Sequence, residues 1–146
     1  MLNISNGTPE VLIKDGTFTN SSSNYLLYIT TNARLTIEGG TFTSSETLLS
    51  IGSNPTVTIT GGTFTSSSTV INNTGAATIT IGELGGIPSK VTPSFVGNNY
   101  GLNSTNASAT INFYDGIFGG STAISGVIRN LEPGYEIIEE VINGKQ

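Results

Sequence analysis

Apolar residues recur in pairs two positions apart, set between runs of Ser, Thr, Asn and Gly. The pairs are Leu2/Ile4, Val11/Ile13, Leu27/Ile29, Leu35/Ile37, Leu49/Ile51, Val57/Ile59 and Ile79/Ile81. A period of two over so few residues is that of a short, half-buried β-strand. After the second pair of a repeat comes one phrase: Asp-Gly-Thr-Phe-Thr at 15–19, Gly-Gly-Thr-Phe-Thr at 39–43 and 61–65, and a degraded Asp-Gly-Ile-Phe-Gly at 115–119. Phe18, Phe42 and Phe64 stand 24 and 22 residues apart. A period in the low twenties, carried by short strands and tight turns, predicts an all-β solenoid in which each coil buries its apolar side against its neighbours.

Three strands per coil follow, and the same plan reads through four repeats. The first has Leu2/Ile4, Val11/Ile13 and Phe18; the second Leu27/Ile29, Leu35/Ile37 and Phe42; the third Leu49/Ile51, Val57/Ile59 and Phe64. In the fourth, Ile71 and Ile79/Ile81 are clear, and the third strand is interrupted by Glu-Leu-Gly-Gly-Ile-Pro-Ser-Lys at 83–90, expected to be a loop thrown out of the coil. The register resumes near Phe95, Tyr100/Leu102 and Ile111/Phe113, and ends in a partial coil around Ala123-Ile124 and Val127-Ile128.

Alternation decides which side chains face inward. With Phe18, Phe42, Phe64 and Phe118 inside, the rings stack about 4.8 Å apart and each flanking Thr points to solvent. Thr17/Thr19, Thr41/Thr43 and Thr63/Thr65 then form two parallel exposed columns, the candidate ligand-binding residues. The reverse assignment exposes every Phe and buries six hydroxyls at about 1–3 kcal/mol for each unpaired one. Gly39-Gly40 and Gly61-Gly62 fall where the chain turns a corner. Asn32 and Asn54 occupy equivalent turn positions and read either as a hydrogen-bonded column or as solvated turn residues.

The expected organisation is repeats over 1–130, with the 83–90 insertion, and an acidic extension or cap over 131–146. The breaker Asn130-Leu131-Glu132-Pro133-Gly134 separates them. Residues 135–142 read as a strand in competition with a helix, and Asn143-Gly144 is a hairpin-turn signal. The acidic tail is the one candidate cap, so its removal is expected to promote end-to-end self-association. Met-Leu-Asn-Ile-Ser-Asn at the start reads as strand and turn, not as a signal peptide, so export would need a targeting segment outside these residues.

Composition narrows the chemistry. The 146 residues are 36% hydrophobic and 10% charged, too apolar for disorder, and no apolar run is long enough for a membrane span. Absence of Cys excludes disulfides and thiolate metal sites, and absence of His removes the commonest general base and the usual zinc ligand. Residues 132–146 carry three of the five net negative charges, and five scattered Lys/Arg make no basic stripe, so nucleic acid is not an expected partner.

The Gly-Gly-Thr-Phe-Thr-Ser phrases, with Gly134-Tyr135-Glu136-Ile137, resemble the right-handed parallel β-helix repeats of large surface and secreted proteins of gut and anaerobic bacteria. The resemblance covers roughly residues 1–136. It implies a right-handed, single-stranded parallel β-helix, here of about six coils of roughly 22–24 residues and about 29 Å long at 4.8 Å per coil. It also implies an extracellular or bacterial cell-surface location and a structural, adhesin-like role, with glycans or host surface proteins as partners and no cofactor.

Parallel β-helices also carry polysaccharide lyases and glycosidases, so an enzyme fragment is the first alternative. Glycoside hydrolysis needs carboxylates converging within about 5–10 Å. The candidates are Asp15, Glu38, Glu83 and Asp115, with Asp15 and Asp115 about 19 Å apart along the coils. Arg34, Lys14 and Lys90 stand alone, and the charges read as isolated and solvated. No Gly-Gly-x-Gly-x-Asp nonapeptide suggests a calcium roll, no metal site is expected, and Gly119-Gly120-Ser121-Thr122 lacks the lysine of a phosphate loop. The second alternative is ice binding, because the Thr-x-Thr columns resemble the regular threonine arrays of several antifreeze proteins.

Overall fold

The structure is a computed structural model that describes residues 1–83 and 92–126. Each turn of chain lays down three short strands. The first turn holds β1 (Leu2–Ile4), β2 (Glu10–Ile13) and β3 (Thr17–Asn20); the second β4 (Leu27–Ile29), β5 (Arg34–Ile37) and β6 (Thr41–Ser44). The third holds β7 (Leu49–Ile51), β8 (Thr56–Ile59) and β9 (Thr63–Ser66); the fourth β10 (Thr69–Asn73), β11 (Thr78–Ile81) and β12 (Ser94–Gly97). The fifth holds β13 (Tyr100–Ser104), β14 (Thr110–Phe113) and β15 (Ile117–Gly119), and β16 (Thr122–Gly126) opens a sixth. Every strand pairs in parallel with the strand three places on, giving three sheets: A (β1-β4-β7-β10-β13-β16), B (β2-β5-β8-β11-β14) and C (β3-β6-β9-β12-β15). The molecule is a parallel β-solenoid. Among the described residues no helix is long and apolar enough to cross a membrane.

The period-two pattern becomes columns. Val11, Leu35, Val57, Ile79 and Ile111 stand in register on sheet B, beside Ile13, Ile37, Ile59, Ile81 and Phe113. From the second turn to the fourth these side chains are fully buried. On sheet C the phenylalanines stack with ring centroids 4.6–4.9 Å apart and planes within 12° of parallel. That spacing is the strand separation itself, so the sheet's backbone hydrogen bonds set the ring contacts. The column holds five rings. Phe95 lies between Phe64 and Phe118; the sequence resumes its register near this residue without assigning it to the stack. Phe113, on sheet B of the same turn, meets the last ring, Phe118, edge-on.

The glycine before each Thr-Phe has a steric role. Gly40 and Gly62 both have φ +110°, in the region that disfavours a side chain. A Cβ on Gly40 would stand 3.0 Å from the Gly16 carbonyl oxygen and 3.1 Å from the Phe42 ring; at Gly62 the Gly40 carbonyl and Phe64 ring are equally close. The missing methylene is the space that the ring occupies.

Sheet A's inner column changes character part-way along. Ile4, Ile29 and Ile51 are followed by Asn73 and Ser104, which are buried with no exposed surface. Asn73 Nδ2 donates to the Gly75 carbonyl at 3.1 Å and to Ser104 Oγ at 3.0 Å, while Asn73 Oδ1 accepts from the Gly75 amide at 3.2 Å. Among the described residues no buried side-chain polar atom lacks a partner. Asn32 and Asn54 are exposed, and the asparagine pair joined between turns is Asn72 and Asn103.

The solenoid makes about five turns where six were expected, because of a possible sixth turn only β16 lies among the described residues. The expected 83–90 insertion lies, apart from Glu83, outside the described residues, as do Val127-Ile128 and the proposed cap at 131–146. Phe95 in register with Phe64 shows that after the interruption the chain returns to sheet C, one rung on from β9, as the sequence implies.

Candidate functional site

Sheet C carries the predicted threonines. Because Phe42 and Phe64 point inward, their neighbours in the same strands must point out, and Thr17, Thr19, Thr41, Thr43, Thr63 and Thr65 are all exposed. Thr17 pairs with Thr41 and Thr41 with Thr63; Thr19, Thr43 and Thr65 follow the same register. The result is two straight columns, about 7 Å apart along the strands and about 4.8 Å between turns. Both end at β12, where Ser94 and Val96 take the two places, and at β15 the occupants are Ile117 and Gly119.

The strands of sheet C are closed by a repeated side-chain turn. Asn20 Oδ1, Ser44 Oγ and Ser66 Oγ hold equivalent places and accept from the backbone amides of Ser22, Glu46 and Ser68. This is the local bond that Asx and Ser/Thr turns provide. Ser66 also donates to the Glu46 carbonyl of the preceding turn, which ties these two corners together.

A second threonine array lies on sheet B. Thr36, Thr58, Thr80 and Asn112 form one outward column; Thr56, Thr78 and Thr110 continue another that starts with Glu10 and Arg34. Most of these residues are half-buried, packed against the rung on either side, and Asn112 Nδ2 reaches Thr80 Oγ1 at 3.4 Å. The sequence signal for this array was present in Thr-Val-Thr-Ile-Thr at 56–60 and Thr-Ile-Thr-Ile at 78–81. The alternation that turns Val57 and Ile59 inward turns these threonines outward.

The acidic residues are dispersed. Asp15 Oδ1 accepts from the Gly16 amide at 2.7 Å and Asp115 Oδ1 from the Gly116 amide at 2.8 Å, so each carboxylate supports the corner before its strand. They stand at opposite ends of sheet C, before β3 and β15. Glu38 lines a shallow groove of about 330 Å³ at the start of sheet B with Glu10, Val11, Leu12, Arg34 and Thr36. Arg34 Nε and Glu10 Oε1 are 3.4 Å apart there, with both side chains largely in solvent. Glu83 is exposed. Among the described residues no group of three or more acidic side chains could hold a metal ion.

No family model, curated protein or solved structure matches this chain.

Proposed function

We propose that this solenoid is a non-catalytic structural and adhesive segment of a bacterial surface or secreted protein, offering its sheet faces to host or glycan ligands. The observation that supports this best is the in-register pair of threonine columns on sheet C, anchored by a stack of phenylalanines directly beneath. A face of short hydroxyl side chains on a rigid ladder loses little side-chain entropy on contact and can donate and accept along its length. Asp15 and Asp115 are engaged with corner amides, which favours a scaffold over the polysaccharide-active enzyme fragment. Display of the chain on a glycan array and on host cells tests the reading, with Thr41→Tyr/Thr63→Tyr as the partner protein. Binding that the double variant loses supports it. Release of new reducing ends from a polysaccharide by the isolated chain would favour the enzyme instead, and surface proteolysis of intact source cells checks the location.

Ice binding is the second reading, and the array on sheet B favours it. Thr56/Thr58 and Thr78/Thr80 give two complete Thr-x-Thr rungs on a closely packed face, flanked by Thr36 and Thr110. Thermal hysteresis in the parent that falls in Thr58→Tyr/Thr80→Tyr supports this reading, and a parent without hysteresis ends it.

A further inference from the structure

The outward column of sheet A runs Asn3, Tyr28, Ser50, Asn72, Asn103 and Ser125, one residue per turn and in unbroken register, with the small Ser50 buried between Tyr28 and Asn72. It spans five rises, roughly 24 Å, and carries no charged side chain. Sheet B, by contrast, starts with Glu10 and Arg34 in its outer column. At the second turn Tyr25 stacks on Tyr28, with centroids 5.1 Å apart and planes inclined by 25°. Tyr25 is 38% exposed, one of the few large apolar side chains left in solvent. Three turns further along, Asn103 Nδ2 donates to Asn72 Oδ1 at 3.0 Å. That bond uses one donor and one acceptor of the amide pair and leaves Asn72 Nδ2 and Asn103 Oδ1 for another molecule. Tyr100, half-buried, stands three residues before Asn103 as Tyr25 stands before Tyr28.

We propose that this face binds a neutral polysaccharide, laid along the solenoid axis. A pyranose ring has an apolar C–H face suited to an exposed tyrosine and a rim of hydroxyls that both donate and accept. The strip offers these two features a few turns apart, which suits a chain of several sugars better than a single one. With no charge in the column, it has no Coulombic preference for an anionic or cationic polymer. It is the face of a sheet, with its backbone groups already paired, so an extended peptide gains no added strand there.

The inference rests on the solenoid acting as a contact surface and is independent of the threonine columns. Affinity electrophoresis through gels containing hydroxyethylcellulose, galactomannan, laminarin or yeast mannan, beside polygalacturonate and chitosan, provides the test. At least one neutral polymer should retard the chain, with retardation unchanged between low and high salt. Tyr25→Ala should weaken it on the order of tenfold, Asn72→Ala/Asn103→Ala should weaken it too, and Tyr25→Phe should retain it. Far-ultraviolet circular dichroism of each variant confirms that the solenoid is intact. Retardation by the charged polymers alone, or by a neutral polymer to the same extent in Tyr25→Ala, overturns the proposal. Loss in Thr41→Tyr/Thr63→Tyr with retention in Tyr25→Ala overturns it while leaving the adhesive reading standing, and no retardation by any polymer also overturns it, with the host-cell assay then deciding the adhesive reading separately.

Discussion

Phe64 and Thr63 are adjacent, yet one has 1% of its surface exposed and the other lies in the exposed column. Phe64 stacks on Phe42 below and Phe95 above, so removing its ring opens a cavity lined by two aromatic faces and backbone that the hydrogen-bonded rungs cannot collapse. Phe64→Ala is expected to lower stability by about 3–5 kcal/mol in urea denaturation, while Thr63→Ser changes it by less than about 0.5 kcal/mol. Equal effects would mean that the strand's faces are reversed. Gly40 belongs with Phe42, because its positive φ and the 3.0 Å approach to the Gly16 carbonyl would strain and crowd a methyl group. Gly40→Ala is expected to destabilise by at least about 1 kcal/mol in the same measurement, although it adds apolar surface. Both residues were legible in the sequence, since the phrase Gly-Gly-Thr-Phe-Thr repeats the corner and its occupant together.

At the level of the strand, alternation specified most of the architecture. Val57 and Ile59 had to share a face, and that face had to be covered, so β8 could lie only against β5 and β11 with its threonines outside. Strand β10 departs from the pattern. Buried Val70 and Ile71 repeat Leu26/Leu27 and Leu48/Leu49 of the earlier turns, but Asn73 then enters the core, where those turns have isoleucine. An asparagine in a Ser/Thr/Asn-rich segment looks like a turn residue, and only the partners supplied by Gly75 and Ser104 make its burial tolerable. Asn73→Ala would leave the Gly75 amide and the Ser104 hydroxyl without this partner, an expected loss of about 1–3 kcal/mol in thermal or urea unfolding, whereas Asn32→Ala in an exposed turn should change stability little. The second threonine array was equally written in the alternation of β8 and β11. The repeated phrase Gly-Gly-Thr-Phe-Thr marks sheet C alone and gives no signal for it.

Across the whole molecule, stability is a sum over turns and the interfaces between them, which makes position along the axis matter as much as residue type. Strands β1, β2 and β3 each end their sheets with one unpaired edge, and Phe18 and Val11 are only half-buried there while their counterparts one turn on are covered completely. Phe18→Ala should therefore cost clearly less than Phe64→Ala, and amide exchange should be slowest in β5 to β11 and fastest in the first turn. A flat exchange profile would contradict this additive picture. The sequence alone determined that the chain coils, the length of its regular coils, and which apolar side chains are dry, because a period of two within strands and of 22–24 between phrases leaves one arrangement that buries the apolar set. Only the tertiary structure decided that Phe95 fills the fourth place in the stack, that Asn73 and Ser104 satisfy each other inside, and that Tyr25, Tyr28, Asn72 and Asn103 share one face. Apart from the neighbours Tyr25 and Tyr28, the residues so joined are 31 to 78 positions apart, and no local pattern encodes the height at which each turn meets the next. That height is set by the rung-to-rung backbone hydrogen bonds, which exist only once neighbouring turns have stacked.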